Sequence, residues 1–341
     1  MVLDDASMTW FRLRERRSSV HTRSRLNDTN ARKQTFAAAM AQFEEQFTAA
    51  KVVTAATRPL NLYYGLAQAG MAIAAAHSPD PWSFSRHGLR LGDRNVELAE
   101  MMVGPEGDGA FQKVAAATGS PGITAPVSLG ALWASLPDLV QGGTLPGAAR
   151  RIALTFFEDA FATKHPRATV QLPGELPEEH DAWIAAFHAI MADYPSAAGC
   201  AIPIENGAVQ IRHRTDGSWD VTLRWPAQEV SGEMSEEEIN AFFGKVAPEY
   251  RYRGDRFLRP AVDGTGSPPP SPLMTWWLLL YSFSILARYE PRRWMKMLDL
   301  DTPGVAVLLQ YAMEEALTAV PQLVLEALDG EPTLLAQPLK L

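Results

Sequence analysis

The sequence predicts a mainly α fold with an α+β insert: a helical body formed by the N- and C-terminal segments, and a small middle segment containing a β-hairpin. Three observations carry this. Two strongly apolar stretches of helical spacing, about Arg58–Ala76 and Leu273–Ala287, stand far apart in the 341-residue chain. The clearest two-residue alternation lies between them, over residues 209–225. A low-complexity joint, Gly264-Thr-Gly-Ser-Pro-Pro-Pro-Ser-Pro, then separates that alternation from the second apolar stretch. The expected organisation is a helical segment with a basic N-terminal arm (1–145), an α+β insert (150–262), and C-terminal helices that pack on the first segment (265–341).

Taken in order, residues 34–56 read as an amphipathic helix. Phe36, Met40, Phe43 and Phe47 share one face, while Glu44, Glu45 and Lys51 lie elsewhere. Thr57-Arg58-Pro59 restarts the helix, with Thr57 as N-cap and Pro59 in the first turn. The helix that follows is apolar on most sides and carries Gly65, Ala69 and Gly70, so another helix can approach it closely. His77-Ser-Pro-Asp-Pro ends it. A loop-rich stretch to about residue 130 holds two expected helices, Val96–Met102 and Ala110–Thr118. Gly104-Pro-Glu-Gly-Asp-Gly lacks the Gly-Lys-Ser/Thr ending of a phosphate loop and reads as a turn.

Beyond residue 150, Arg151–Phe157 and Ala168–Leu172 read as strands and Glu178–Asp193 as a helix. In the alternation, Val209, Ile211 and His213 face Trp219, Val221, Leu223 and Trp225 across Thr215-Asp216-Gly217. A two-residue turn would put the two apolar sets on opposite faces. A three-residue loop with left-handed Gly217 pairs Ile211 with Val221 and Arg212 with Asp220, and is the expected register. The apolar run 273–287 ends before Arg288 and is shorter than the roughly 18 residues a membrane span needs. It reads as a buried core helix. Pro291 stops it, and Val305–Leu328 supplies a last helix kinked or broken at Pro321.

An apolar fraction of 47% excludes a mainly disordered chain. The formal charge of −8 argues against a wholesale nucleic-acid coat. The single cysteine, Cys200, excludes an intrachain disulfide or a Cys-rich zinc module and suits a reducing cytoplasm. Met1-Val-Leu-Asp-Asp lacks the basic-then-apolar order of a signal peptide, so a cytoplasmic location without membrane partners is expected. Charge is uneven. Residues 1–33 hold eight basic and four acidic side chains. This arm, with cations over 12–33, can bind phosphates or nucleic acid, dock on the acidic body, or be solvated.

Two segments carry a resemblance. Arg58-Pro-Leu-Asn-Leu-Tyr-Tyr-Gly-Leu-Ala-Gln-Ala-Gly, followed by His87-Gly88-Leu89, resembles the front half of the YaaC-like bacterial proteins. Leu280-Tyr-Ser-Phe-Ser-Ile-Leu-Ala-Arg-Tyr-Glu-Pro-Arg-Arg-Trp resembles their C-terminal signature. The resemblance implies a bacterial cytoplasmic protein and brings no catalytic residues with it.

The candidate chemistry lies on two polar seams. Arg58, Asn61, Tyr64 and Gln68 fall on one side of the first apolar helix; Trp277, Tyr281, Ser284 and Arg288 fall on one side of the second. If the seams face each other, they form a pocket of two guanidinium groups, an amide and hydroxyls, suited to a carboxylate or phosphate. Alternatively, the first seam is a solvent face, Arg288 pairs with Glu290 or Glu314, and Tyr281 is a core residue.

His87, in the loop after Arg86, is a weak acid–base candidate because no partner is visible. His180 and His188, eight apart, miss the spacing of a helical metal pair. Arg14 and Arg16 stand at the Arg-to-His distance of HEPN-type nucleases from His21, in a segment too rich in arginine for that to discriminate. No nucleophile elbow, dinucleotide fingerprint, cofactor motif or metal motif is present. Two functions follow as expectations. One is recognition of an anionic ligand (nucleotide, phosphate or RNA) or a protein partner; the other is a metal-independent phosphodiesterase or ribonuclease using Arg and His.

Overall fold

The computed structural model describes residues 5–18, 26, 28–80, 82–148, 151–158, 167–172, 174, 177, 180–202, 204–205, 208–209, 211–215, 217–224, 235, 238, 241, 251–252, 255–264, 266–301 and 304–330. Helix α1 spans Asp5–Ser18 and α2 spans Asn30–Val52, the latter capped by Thr29, whose hydroxyl accepts from the Arg32 N–H at 3.2 Å. The predicted face of α2 is the buried one: Phe36, Met40, Phe43 and Phe47 are all inaccessible.

Helix α3, Arg58–His77, starts differently from expectation. Thr54 O already accepts from the N–H groups of Thr57 and Arg58, so Thr57 enters the helix in an α conformation and its hydroxyl caps nothing. The rest of α3 is central as predicted. Gly65 lies against Phe47 of α2, where a Cβ would stand 2.6 Å from the ring.

The stretch after α3 is more ordered than a loop. Strands β1 (Leu89–Leu91), β2 (Met102–Pro105) and β3 (Val127–Ser128) form a three-stranded antiparallel sheet. The expected helix at Val96–Met102 is instead one 3-10 turn, Leu98–Glu100, leading into β2. Pairing of Val103 with both Leu91 and Val127 overrides the local pattern. Helix α4 spans Ala110–Ala117, α5 Leu129–Ala134 and α6 Pro137–Gly142.

The middle segment exceeds a hairpin. Strands β4 (Leu154–Glu158) and β5 (Arg167–Leu172) are followed by helix α7 (His180–Met191) and a separate pair, β6 (Ile204–Glu205) with β7 (Ala208–Val209). Then come β8 (Ile211–His213), β9 (Trp219–Arg224), β10 (Arg251–Tyr252) and β11 (Asp255–Leu258). Six strands build one antiparallel sheet in the order β10-β11-β4-β5-β9-β8. The hairpin is its edge. Its register is the predicted one, with Ile211 opposite Val221, Arg212 bonded to Asp220 at 2.8 Å and Gly217 at φ 81°. Val221 and Leu223 are buried, and Ile211 and Trp219 are half-buried. The side chain of Val209 and residue 225 lie outside the described residues. Trp183, Phe187 and Met191 of α7, one helical turn apart, join the buried residues of the sheet in a second, smaller core.

Helix α8 spans Pro272–Tyr289, with Ser271 capping the N–H of Met274; α9 spans Pro291–Met297 and α10 spans Ala306–Asp329. Pro291 thus opens a new short helix, and α10 runs through Pro321. Helix α8 packs on α3, and both pack on α10. Core residues from Trp10 to Leu145 and from Phe257 to Leu325 form one cluster. At the end of the sheet, Phe257 joins that cluster and its neighbour Leu258 joins the smaller one, as strand alternation requires. Arg259, fully buried, fastens this junction by donating to Ser135 O at 2.9 Å, Pro270 O at 2.6 Å and Thr275 Oγ1 at 2.9 Å. Among the described residues, no helix is long and apolar enough to cross a membrane.

Candidate functional site

The contact of α3 with α8 has an open end near the C-terminus of α8. Leu60, Tyr63, Tyr64 and Ala67 line it from α3, and Tyr281, Ser284, Ile285 and Arg288 from α8. The loop Phe84–His87 closes the third side, leaving a cleft of about 240 Å³. Among the described residues, no Asp or Glu lines it.

The loop is held rigidly. The carbonyls of Arg86 and His87 accept the N–H groups of Ala110 and Phe111 at 3.0 and 3.2 Å. Gln112 donates to Gly88 O at 2.7 Å and accepts from the Gly109 N–H at 2.9 Å. These bonds satisfy the N–H groups that open α4 and fix the loop to it. Gly88 is required, since φ is 76° and a Cβ would stand 2.0 Å from Gln112 Oε1. Arg86 itself adopts φ 56°. A left-handed conformation costs a non-glycine residue about 1–2 kcal/mol, and strain of this kind concentrates at functional sites.

Most of the polar groups of the cleft have defined partners. Arg288 Nη1 donates to Tyr64 Oη at 3.0 Å, bridging α8 to α3, and its guanidinium lies 5.0 Å from the ring of Tyr289. Tyr281 donates to Leu89 O at 2.7 Å, and Ser284 to Tyr281 O at 2.7 Å. Burial, with smaller contributions from Glu106 and Tyr289, pushes the Tyr281 hydroxyl up to about 12. Burial also raises Tyr63, the next ring in the cluster, at 5.5 Å. The His87 ring lies 5.1 Å from that of Tyr281, and its Nδ1 accepts the Leu89 N–H at 3.3 Å. That bond places the proton of the neutral ring on Nε2, so His87 offers the cleft a donor, and its acceptor nitrogen is already occupied.

The two predicted seams therefore meet only in part. Tyr64, Tyr281, Ser284, Arg288 and His87 come together; Arg58, Asn61 and Gln68 do not line the cleft. Arg58 is drawn to Glu314 of α10 and to Val53 O, and Asn61 donates to Gln46 Oε1 of α2 at 3.0 Å. Gln68 is half-buried further along α3. A seam fixes which side of a helix is polar, whereas the neighbours packed along that side decide which of its residues are left for a ligand. Glu290 pairs with Arg94 at 3.3 Å. Among the described residues, Arg288 and Arg86 have no carboxylate partner. Sequence reasoning singled out the Arg86-His87-Gly88 loop for its histidine and missed the arginine beside it. The signal was a cation preceding a glycine turn.

The described part of the basic arm docks on the body. Helix α1 packs on α2 and α10, with Arg14 Nε bonded to Glu44 at 2.8 Å and Arg16 Nε to Asp329 at 2.6 Å. Arg32 is buried in α2 and donates to Ala75 O, Ser78 O and Asp80 at 2.7, 3.0 and 2.6 Å. His21, Glu178 and Glu179 lie outside the described residues, and so does the His180 side chain. No group of His, Cys, Asp and Glu suited to a metal occurs among the described residues. Burial pushes the Cys200 thiol up to about 12, which makes it a poor nucleophile.

Comparison with known proteins agrees with the two-segment resemblance. The family model described as YaaC-like Protein matches residues 10–328, nearly the whole chain. No curated protein and no solved structure matches.

Proposed function

We propose that this chain, which belongs to the YaaC-like protein family, is a cytoplasmic protein that binds a small anionic ligand in the cleft between α3 and α8. One observation carries the reading: two guanidinium groups, Arg86 and Arg288, stand at a cleft with no acidic wall and have no carboxylate partner among the described residues. Nearby arginines do find acids, Arg58 at Glu314 and Arg94 at Glu290. A phosphate or carboxylate supplies the charge that the cleft lacks. At about 240 Å³ the cleft is smaller than pockets for drug-sized ligands, which favours a compact group over an extended chain. The hydrolytic alternative draws no support from His87, whose acceptor nitrogen is occupied by the backbone.

Calorimetric titration of the full chain with phenyl phosphate tests this. Each charge-assisted hydrogen bond is worth about 1.5–3 kcal/mol, so Arg288→Ala and Arg86→Ala should each weaken binding by about ten- to a hundredfold. Arg58→Ala should bind like the parent chain. Unchanged affinity in both cleft variants, or a loss confined to Arg58→Ala, would overturn the reading.

A further inference from the structure

Resting on that reading of the cleft, we propose that its ligand is a flat aromatic or heteroaromatic anion whose far end carries an N–H donor. The inference comes from hydrogen-bond polarity at two depths. At the mouth stand Arg86, Arg288 and His87, all exposed. Both arginines can only donate, and the His87 nitrogen not engaged by Leu89 carries the proton. At the base lie Tyr281 and Ser284, 3% and 4% exposed. Each has already given its single hydrogen to a backbone carbonyl, Leu89 O and Tyr281 O respectively. A hydroxyl that has donated can only accept. Tyr281 keeps its proton throughout the physiological range, because burial holds the ionised form at bay. The cleft is thus a row of donors outside and a pair of acceptors inside.

The walls between these levels are aromatic. Tyr63 meets Tyr281 at 5.5 Å and 66°, and His87 meets Tyr281 at 5.1 Å and 45°. A planar ring fits against such a cluster by edge and face contacts, where a branched aliphatic body forfeits them. Inorganic phosphate alone would satisfy the mouth and leave the acceptors and rings without a partner. A ring bearing an anion at one end and an amine or ring N–H at the other complements both levels. An aminoaromatic acid and a nucleotide with an exocyclic amine share this chemistry.

Two probes differing in one donor decide the matter: phenyl phosphate and 4-aminophenyl phosphate, titrated into the full chain. One neutral hydrogen bond should make the amine bind about fivefold more tightly. Ser284→Ala should shrink that preference toward equal affinity for the two compounds. Tyr281→Phe, checked for folding by its melting curve, should shrink it as well. A third titration, with adenosine monophosphate, names the source: tighter binding than 4-aminophenyl phosphate identifies a nucleotide, and weaker binding a free aminoaromatic acid. Equal affinity for the two phenyl compounds overturns the inference and leaves the anion-binding reading standing. If neither binds, both fall together.

Discussion

Replacing Gly70 by alanine sets two effects of known sign against each other at the α3–α8 contact. Helix propensity alone favours alanine over an interior glycine by about 1 kcal/mol. Packing opposes it. A Cβ on Gly70 would stand 2.4 Å from Cη2 and Cζ3 of Trp277 and 3.0 Å from Cγ2 of Val114. Carbon atoms settle at about 3.5–4.0 Å, so the overlap exceeds 1 Å. Trp277 is fully buried, and α3 is backed by α2, so neither the ring nor the helix has free space to retreat into. Overpacking typically costs about 1–3 kcal/mol, and a rigid indole places this case at the upper end. Packing wins, and Gly70→Ala should destabilise the protein by about 2 kcal/mol. Urea unfolding measures the loss. A double-mutant cycle identifies its origin, because Trp277→Phe removes the two offending atoms and should relieve at least about 1 kcal/mol of the alanine's cost. The same displacement spreads the helices that hold Tyr64 and Arg288, so ligand affinity should fall as well. A Gly70→Ala protein that is more stable than the parent, or strictly additive with Trp277→Phe, would refute the close contact.

Arg86→Gly should separate binding from folding: it releases a strained backbone at about 1–2 kcal/mol and incurs a glycine entropy cost of about 0.5–1 kcal/mol. Thermal melting should show stability unchanged or slightly raised, while calorimetry shows the affinity loss of Arg86→Ala; marked destabilisation would mean that the side chain is structural. Alkaline pH should unfold the protein in a defined window. Tyr281 is raised from 10 to about 12, and Tyr63 and Tyr194 are also raised by burial. The folded state therefore keeps protons that the unfolded chain gives up, and stability present below pH 10 is lost as pH climbs through 12. Denaturant midpoints should fall across this interval together with a rise in tyrosinate absorbance, and a flat midpoint would contradict the burial of these hydroxyls.

The helices were legible because their burial is local in spacing. The Phe36–Phe47 stripe, the nearly continuous apolar run 273–287 and the prolines at 59 and 291 each mark an element without reference to the rest of the chain. The β8–β9 register was legible for a similar reason: only one loop length puts the apolar residues on one face. The sheet around that hairpin was not legible in full. Its order joins β4 and β5 to strands that begin 47 or more residues further along the chain, and no local pattern encodes those pairings. The β1–β3 sheet was hidden likewise, because short strands of three, four and two residues hold together by pairing more than by alternation.

The site shows the same division more sharply. Helical spacing placed Arg58 and Tyr64 on one side of α3, yet it is blind to what lies along that side. At one end α10 brings Glu314 to Arg58, in the middle α2 brings Gln46 to Asn61, and only Tyr64 reaches α8 and Arg288. The basic arm repeats the point. A net excess of positive charge in residues 1–33 suggests a phosphate-binding surface, but Arg14, Arg16 and Arg32 are bonded to Glu44, Asp329 and Asp80. A count of arginines therefore does not say which of them the fold already pairs with acids. What distinguishes Arg86 and Arg288 is that no carboxylate among the described residues pairs with them and that they line a cleft with aromatic walls. A buried carboxylate beside them would have made the cleft an internal ion pair. Among the described residues none lines the walls, and the two guanidinium groups stand exposed at the cleft.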